Sequence, residues 1–213
     1  EKFEPIFDGQ TLSGWVQRGG KAAYRVEDES IVGTSRPLTS NSFLCTEKTY
    51  KDFILELEFK VNPELNSGIQ IRSNAYDKPT TVERQGGKSI VIAPGRVHGY
   101  QYEIDNEIKR DRWWTGGIYD ESRRGWLFPG IRGGDEKSFT EQGRRLSQGD
   151  DWHRVRIEAR GPRIKTFLDG EPRADFDDAM TPEGFIALQV HGVGGTTKPL
   201  EVRWRKIRLA VLD

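Results

Sequence analysis

Residues 53–61 read Phe53-Ile54-Leu55-Glu56-Leu57-Glu58-Phe59-Lys60-Val61. Apolar side chains recur at every second position from Phe53 through Leu55, Leu57 and Phe59 to Val61, with Glu56, Glu58 and Lys60 between them. Successive side chains leave a pleated strand on opposite sides, so this period describes a strand with one buried and one wet face. The same alternation returns downstream. Ile69 and Ile71 alternate with Gln70 and Arg72; Tyr100, Tyr102 and Ile104 alternate with Gln101, Glu103 and Asp105. Val155, Ile157 and Ala159 lie opposite Arg154, Arg156 and Glu158, and Gly161-Pro162-Arg163 turns the chain into Ile164–Leu168. Asp169-Gly170 is a hairpin turn pair, because both central residues of such a turn need a positive φ. Ile186, Leu188 and Val190 alternate with Ala187, Gln189 and His191. A last strand runs through Val202 and Trp204 to Ile207 and Leu209, where a slip of apolar phase between Trp204 and Ile207 predicts a bulge.

Helical period is nearly absent. The stretch Ser138 to Ser147 is polar all round and holds Gly143, so the expectation there is a loop or a single turn. A dozen short strands parted by Gly and Pro turns predict an all-β antiparallel sandwich or jelly roll. No repeat and no Pro/Ser-rich linker divides the chain, so residues 1–213 are expected to form one domain.

Composition narrows the function. The 33 Lys and Arg balance 33 Asp and Glu, which removes the basic excess that binding nucleic acid or an anionic membrane would need. No apolar run approaches a membrane span, and the charged opening Glu1–Gly9 is neither a signal peptide nor an anchor; an exported protein would have lost its leader. The single cysteine, Cys45, permits no intramolecular disulfide and sits in the apolar setting Phe43-Leu44-Cys45, as a small buried residue would. Serine-hydrolase elbows, P-loops, zincin motifs and cysteine clusters are all missing.

The non-core faces of three strands carry the candidate site: Gln70 and Arg72; Gln101, Glu103 and Asp105; Gln189 and His191. Brought into one sheet, these amides, carboxylates, guanidinium and imidazole suit a polyhydroxylated ligand, which needs many donors and acceptors. An ordinary solvated strand face would use Lys, Glu and Thr instead. Glu103 and Asp105 are two residues apart on one strand, ~7 Å between Cβ atoms, a range in which one carboxyl serves as base or nucleophile and the other as acid, or both hold a metal. Arg72 is alternatively a salt-bridge partner for one of them. Trp113-Trp114 and Tyr119 offer ring faces to a sugar, although one of two adjacent tryptophans more often belongs to the core. Asp120 and Arg123 belong to a dense polar loop whose plainer role is internal ion pairing. Of the three histidines, His153 shares a face with Val155 and is expected to be structural, His98 has no evident partner, and His191 is the candidate for chemistry.

The opening Phe7-Asp8-Gly9-Gln10-Thr11-Leu12-Ser13-Gly14-Trp15 resembles the F-D-G-x-x-L-x-G-W start of the 3-keto-disaccharide hydrolase domain family, formerly a domain of unknown function. Asn66-Ser67-Gly68-Ile69-Gln70-Ile71-Arg72, Gly99–Asp105, Gly117–Arg124 and Gly184–His191 are similar to further family motifs, in family order. The resemblance implies a concanavalin A-like jelly roll, bacterial export to the periplasm or beyond, and glycosidase action on carbohydrate, in the best-understood members on glycosides oxidised at C3. Such chemistry needs a base at C2, an acid for the leaving oxygen and a cation or donor for the enolate. The implied roles are His191 or Glu103 as base, Arg72 as enolate or hydroxyl clamp, and Glu103 with Asp105 as acid or metal ligands. Gln70, Gln101, Gln189, Tyr119, Trp113, Trp114, Asp120 and Arg123 would hold substrate. The cofactor, if any, would be a divalent metal, Ca²⁺ or a transition ion, which no ligand spacing here specifies. The alternative is a non-catalytic, lectin-like carbohydrate-binding module, since the scaffold hosts both; a structural or adhesion domain would scatter the stripe. The stretches 77–97 and 128–151 match no functional pattern and are expected to shape the rim of the site.

Overall fold

The computed structural model describes residues 1–84, 87–147 and 151–212. The chain opens with β1 (Glu4–Pro5), β2 (Trp15–Gly19), β3 (Ala23–Glu27), β4 (Ser30–Thr34) and β5 (Ser42–Thr46). The alternating stretch read first is β6 (Phe53–Val61), followed by β7 (Ser67–Asn74), a two-stranded arm of β8 (Thr80–Glu83) and β9 (Ser89–Ile92), and β10 (His98–Ile104). A 3-10 turn at Ile108–Arg110 leads to β11 (Ile118–Glu121), β12 (Gly125–Phe128) and α1 (Glu136–Leu146). The chain ends with β13 (His153–Arg160), β14 (Arg163–Leu168), β15 (Glu171–Asp177), β16 (Phe185–Val190) and β17 (Glu201–Val211).

Two antiparallel sheets face each other. The front sheet runs β12-β11-β10-β7-β16-β5-β2, and the back sheet runs β15-β14-β13-β6-β17-β4-β3 with β1 added on β17. Successive long strands such as β6 and β7 fall in different sheets, so their apolar faces meet across one shared core. Phe53, Leu55, Phe59 and Ile157 from the back sheet are fully buried there with Ile69, Ile71, Tyr100 and Tyr102 from the front. Removing each such side chain from water contributes roughly 1.5–3 kcal/mol. Except at Arg72 in β7, the sequence's period-two faces are the observed ones.

Asp169 (φ 51°) and Gly170 (φ 87°) make the expected tight turn from β14 to β15. The expected bulge in β17 also forms, as a register shift between Arg205 and Arg208 with Lys206 at φ 53°. His153 is buried, its Nδ1 2.7 Å from the Asp169 carboxylate. Cys45 is fully buried, and burial pushes its thiol up to about 12.

The expectation of a loop at Ser138–Ser147 is overturned by the eleven-residue helix α1. Asp135 caps it by accepting from the Ser138 N–H at 2.8 Å. Phe139, Gly143 and Leu146 then fall on one face at helical spacing, the first two buried and Leu146 packed on the core. The glycine that argued against a helix is its contact point, since a Cβ on Gly143 would lie 1.8 Å from the Trp113 carbonyl oxygen. Tertiary packing therefore overrides weak local propensity here.

The unmatched stretch 77–97 contains the β8–β9 arm. Val97 and Ala75 at its base pack on Phe43, Cys45, Phe185 and Ala187, residues whose side chains leave the front sheet away from the core. One end of the outer face of that sheet is thus covered and the other left open. Residues 85–86 of this stretch and 148–150 of the stretch 128–151 lie outside the described residues. Among the described residues no helix is long and apolar enough to cross a membrane.

Candidate functional site

Ladder register assembles the site. On the front sheet Gln101 of β10 pairs with Gln70 of β7 and with Tyr119 of β11, and Glu103 pairs with Gly68 of β7, which in turn pairs with Gln189 of β16. Paired residues share a face, so the alternation that sends Tyr100, Tyr102 and Ile104 into the core sends Gln101 and Glu103 outward with Gln70, Tyr119 and Gln189. Four strands, β7, β10, β11 and β16, thereby contribute to one floor.

A cleft of 270 Å³ opens over that floor, lined by Gln101, Glu103, Tyr119 and His191 together with Asn41, Asn66, Arg110, Arg112, Glu121 and Trp126. A second hollow of 260 Å³ adjoins it and shares Asn66, Arg110 and His191. A larger hollow of 710 Å³ lies on the back sheet beside Phe3, Pro5 and Arg208. Its carboxylates Glu56 and Glu58 are already matched by Arg156, Arg208, Arg205 and Lys206, which leaves little for a ligand to do.

Glu103 is the centre of the cleft. It is 5% exposed, and both its carboxyl oxygens accept amide hydrogens: Oε1 from Asn66 Nδ2 at 2.7 Å and Oε2 from Gln101 Nε2 at 2.8 Å. Burial, aided by the nearby charges of Asp105 and Glu121, pushes this carboxyl up to about 7 against the pull of those two donors. Near neutral pH it is half ionised, the condition in which a carboxyl exchanges protons most usefully. Burial also raises Glu121, with Asn41 and Arg96 opposing, and raises Tyr119.

Asp105 is fully buried and accepts from Arg112 Nε at 2.6 Å. The Arg112 guanidinium lies over Trp126 at 4.8 Å and Trp114 at 5.1 Å from the ring centroids. A cation is thus fixed at the cleft by a carboxylate and two ring faces. His191 Nδ1 stands 2.7 Å from the Gly192 carbonyl oxygen, so it carries the proton and donates, leaving Nε2 as the basic nitrogen.

Several expected site residues are elsewhere. Arg72 is 1% exposed and donates to the Lys51 and Gly161 carbonyls and to Asp52, stapling the front sheet to loops of the back sheet. A register irregularity between His98 and Tyr100, opposite Asn74 and Ile71, with Arg72 at φ 43°, turns its side chain off the face that Gln70 occupies. It is no clamp at the cleft. Asp120 and Arg123 are buried in each other's company, with Asp120 also accepting from Arg124, which continues the network to Asp178. Trp113 and Trp114 are 9% and 8% exposed, and their ring N–H groups donate to Asp111 and Thr140, so neither is an open platform. Gln70 is fully buried and bonded to Gln101 and Ser73, while Gln189 is fully buried with both amide atoms unpartnered.

Asn41, Asn66, Arg110, Arg112, Glu121 and Trp126 were not singled out from sequence. Asn66 could have been found, because two steps along β7 from Gly68 returns to the same face. Arg110 and Arg112 come from the non-repetitive segment after β10, where no period reports on orientation. Among the described residues no group of three or more His, Cys, Asp or Glu is placed to hold a divalent metal; both Glu103 oxygens face amide donors and Asp105 Oδ2 faces the Arg112 guanidinium, while Asp105 Oδ1 is buried without a partner.

Residues 2–210 match the family model described as a 3-keto-alpha-glucoside-1,2-lyase-like domain. No curated protein matches the chain. Among solved structures, a candidate glycosyl hydrolase from Parabacteroides distasonis is similar with a TM-score of 0.60 at 15% identity, over 99% of this chain and 94% of that one. A Bacillus subtilis protein of unknown function with a galectin-like fold gives 0.61 at 10% identity, over 98% and 94%. The kappa-carrageenase of Pseudoalteromonas carrageenovora, in complex with an oligotetrasaccharide of kappa-carrageenan, gives 0.56 at 10% identity, over 99% and 93%. At these identities the likeness establishes a shared fold, the jelly-roll sandwich of the galectin and concanavalin type.

Proposed function

The chain belongs to the 3-keto-alpha-glucoside-1,2-lyase-like family, and from that premise we propose that the cleft over Glu103 binds a carbohydrate and cleaves a glycoside oxidised at C3. A 3-keto group acidifies the C2 proton. Glu103 takes that proton, the electron pair forms the enolate of the C3 ketone, and collapse of the enolate expels the glycosidic oxygen from C1, which leaves protonated. Water then adds across the C1–C2 double bond, and the net result is hydrolysis. The carrying observation is Glu103 itself, a buried carboxyl held at about 7 at the floor of a polar cleft.

The other roles follow from position. Arg112, in place of Arg72, is the cation for the enolate oxygen, and Asp105 keeps it there. His191 lines both the cleft and the adjoining hollow; in its doubly protonated form the ring would give its Nε2 proton to the leaving oxygen of a sugar in that hollow and return to the Nδ1–H tautomer that the Gly192 carbonyl holds. Tyr119 and the amides bind hydroxyls, and Trp126 offers the ring face. One domain spans residues 1–213, acting on carbohydrate in the periplasm or outside the cell.

Turnover of 3-keto and ordinary aryl glucosides by the wild type and by Glu103→Gln tests this reading. Cleavage of the 3-keto substrates alone, reduced ~10²–10⁴-fold in the variant, is the expected result. The amide-rich floor also favours a second reading, a lectin-like binding module. Sugar binding that survives Glu103→Gln with no turnover of either substrate class would establish that reading and refute the enzyme.

A further inference from the structure

Glu103 does not end its hydrogen bonding at Gln101. Gln101 Oε1 accepts from Gln70 Nε2 at 2.6 Å, and Gln70 Oε1 accepts from Ser73 Oγ at 2.6 Å. All three side chains are buried, at 0% exposure for Gln70 and Ser73 and 1% for Gln101. The direction is forced, because an ionised carboxylate only accepts. Gln101 must present its N–H to Glu103, which leaves its oxygen for the Gln70 amide, whose own oxygen is left for the Ser73 hydroxyl.

The fold does not need polar side chains here. The ladder row that begins at Gln101 and Gln70 continues through Ala187 and Cys45, both apolar and fully buried. Gly68 also makes room for the row: a Cβ there would lie 2.6 Å from Gln101 Cδ and 2.7 Å from its Cγ. Buried amides are costly unless bonded, and these are bonded in one line that terminates on the cleft carboxylate.

We propose that Ser73 and Gln70 are positioning residues that lock the Gln101 amide with its N–H toward Glu103, holding that carboxylate in its proton-accepting form. Without Gln70 the Gln101 amide is free to turn its oxygen toward Glu103, which favours the protonated acid. Each amide in the line also polarises the next, and a line ending on a charge gains most, so its loss falls on the ionised form. The other titratable and charged groups facing Glu103 are Asp105 just past the end of its strand, Tyr119 and Glu121 from β11, Arg110 and Arg112 from the segment after β10, and His191 after β16. From β7 and the residue before it, it meets no titratable group, only Asn66, Gly68 and, through Gln101, the relay.

The inference rests on Glu103 being the reacting carboxyl, so its test is read without substrate. In ¹³C-labelled protein the Glu103 carboxyl resonance, identified by its absence in Glu103→Gln, is titrated in the wild type and in Gln101→Met, Gln70→Met and Ser73→Ala. The midpoint is expected to rise by about one pH unit in Gln101→Met and by a few tenths in Gln70→Met and Ser73→Ala. The ascending, low-pH limb of any pH–rate profile should move with it. A midpoint that moves in Gln101→Met but stays fixed in the other two would overturn the relay. Ser73→Ala removes one oxygen and keeps the test open should Gln70→Met not fold. A protein that shows the shifts but turns over no sugar would refute the proposed activity and leave the relay standing.

Discussion

Replacing Glu103 by Gln should stabilise the protein at alkaline pH while it abolishes the proposed chemistry. The carboxyl moves from an ordinary 4.5 to about 7 on folding because burial disfavours its charged form. The native state therefore binds more protons than the unfolded chain between those values, and stability falls as pH rises through that window. Below pH 4.5 the group is protonated in both states and contributes nothing; above pH 7 it is charged in both and the folded state bears the full cost. At ~1.4 kcal/mol per pKa unit, the cost is about 3 kcal/mol. Urea unfolding of wild type and Glu103→Gln at a series of pH values from 4 to 9 reads it, since titrating groups that do not interact with Glu103 cancel in the difference. Gln at position 103 brings its own constant offset, because its N–H₂ must face a neighbouring amide, but that offset does not vary with pH. The difference should swing by about 3 kcal/mol in favour of the variant as pH rises. A difference that is flat with pH would refute the claim that Glu103 is a desolvated, half-titrated carboxyl.

Four further substitutions separate scaffold from site. Gly143→Ala in α1 would gain about 1 kcal/mol on helix propensity alone, yet the Trp113 carbonyl stands 1.8 Å from the new Cβ; thermal unfolding should show a net loss of about 2 kcal/mol, and a gain would mean that the helix can move away from Trp113. Arg72→Met strips three hydrogen bonds from the junction of the sheets and should cost about 2–4 kcal/mol in urea unfolding, with sugar affinity unchanged; lost affinity in a stable variant would return Arg72 to the site. Trp126→Ala removes the ring that lines the cleft and supports Arg112, and should weaken sugar binding about tenfold by calorimetry, whereas the buried Trp113 replaced by Phe should not.

The strands were legible because burial of one face imposes a period of two, and β6 or β10 can be read residue by residue. That same period correctly put Gln101, Glu103 and Gln189 on one face, and register then joined them. It failed at Arg72, where a bulge breaks the phase and swings the side chain away from the stripe, a change that leaves no mark in composition. The segment from Trp113 to Arg123, part loop and part β11, carried the other differences. Asp120, Arg123, Trp113 and Trp114 are polar or aromatic for internal reasons, as ion-pair partners and as packing under α1, and residue type alone does not distinguish those roles from ligand contact. Arg112 and Trp126 were missed for the converse reason: the place of Arg112 depends on how the segment after β10 folds back over the sheet, and Trp126 lies on the short edge strand β12, where four residues are too few for a period to show. The helix went unread because its buried face is Phe139, Gly143 and Leu146, a face whose middle member contributes shape where the pattern looks for hydrophobicity.

The pH dependence of kcat/KM on a 3-keto aryl glucoside tests the central claim most directly. The account predicts that activity rises with pH through a limb near 7 as Glu103 ionises, and that this limb disappears in Glu103→Gln together with most of the rate. A variant that keeps wild-type activity, or a wild-type limb that persists without Glu103, would show that the base lies elsewhere.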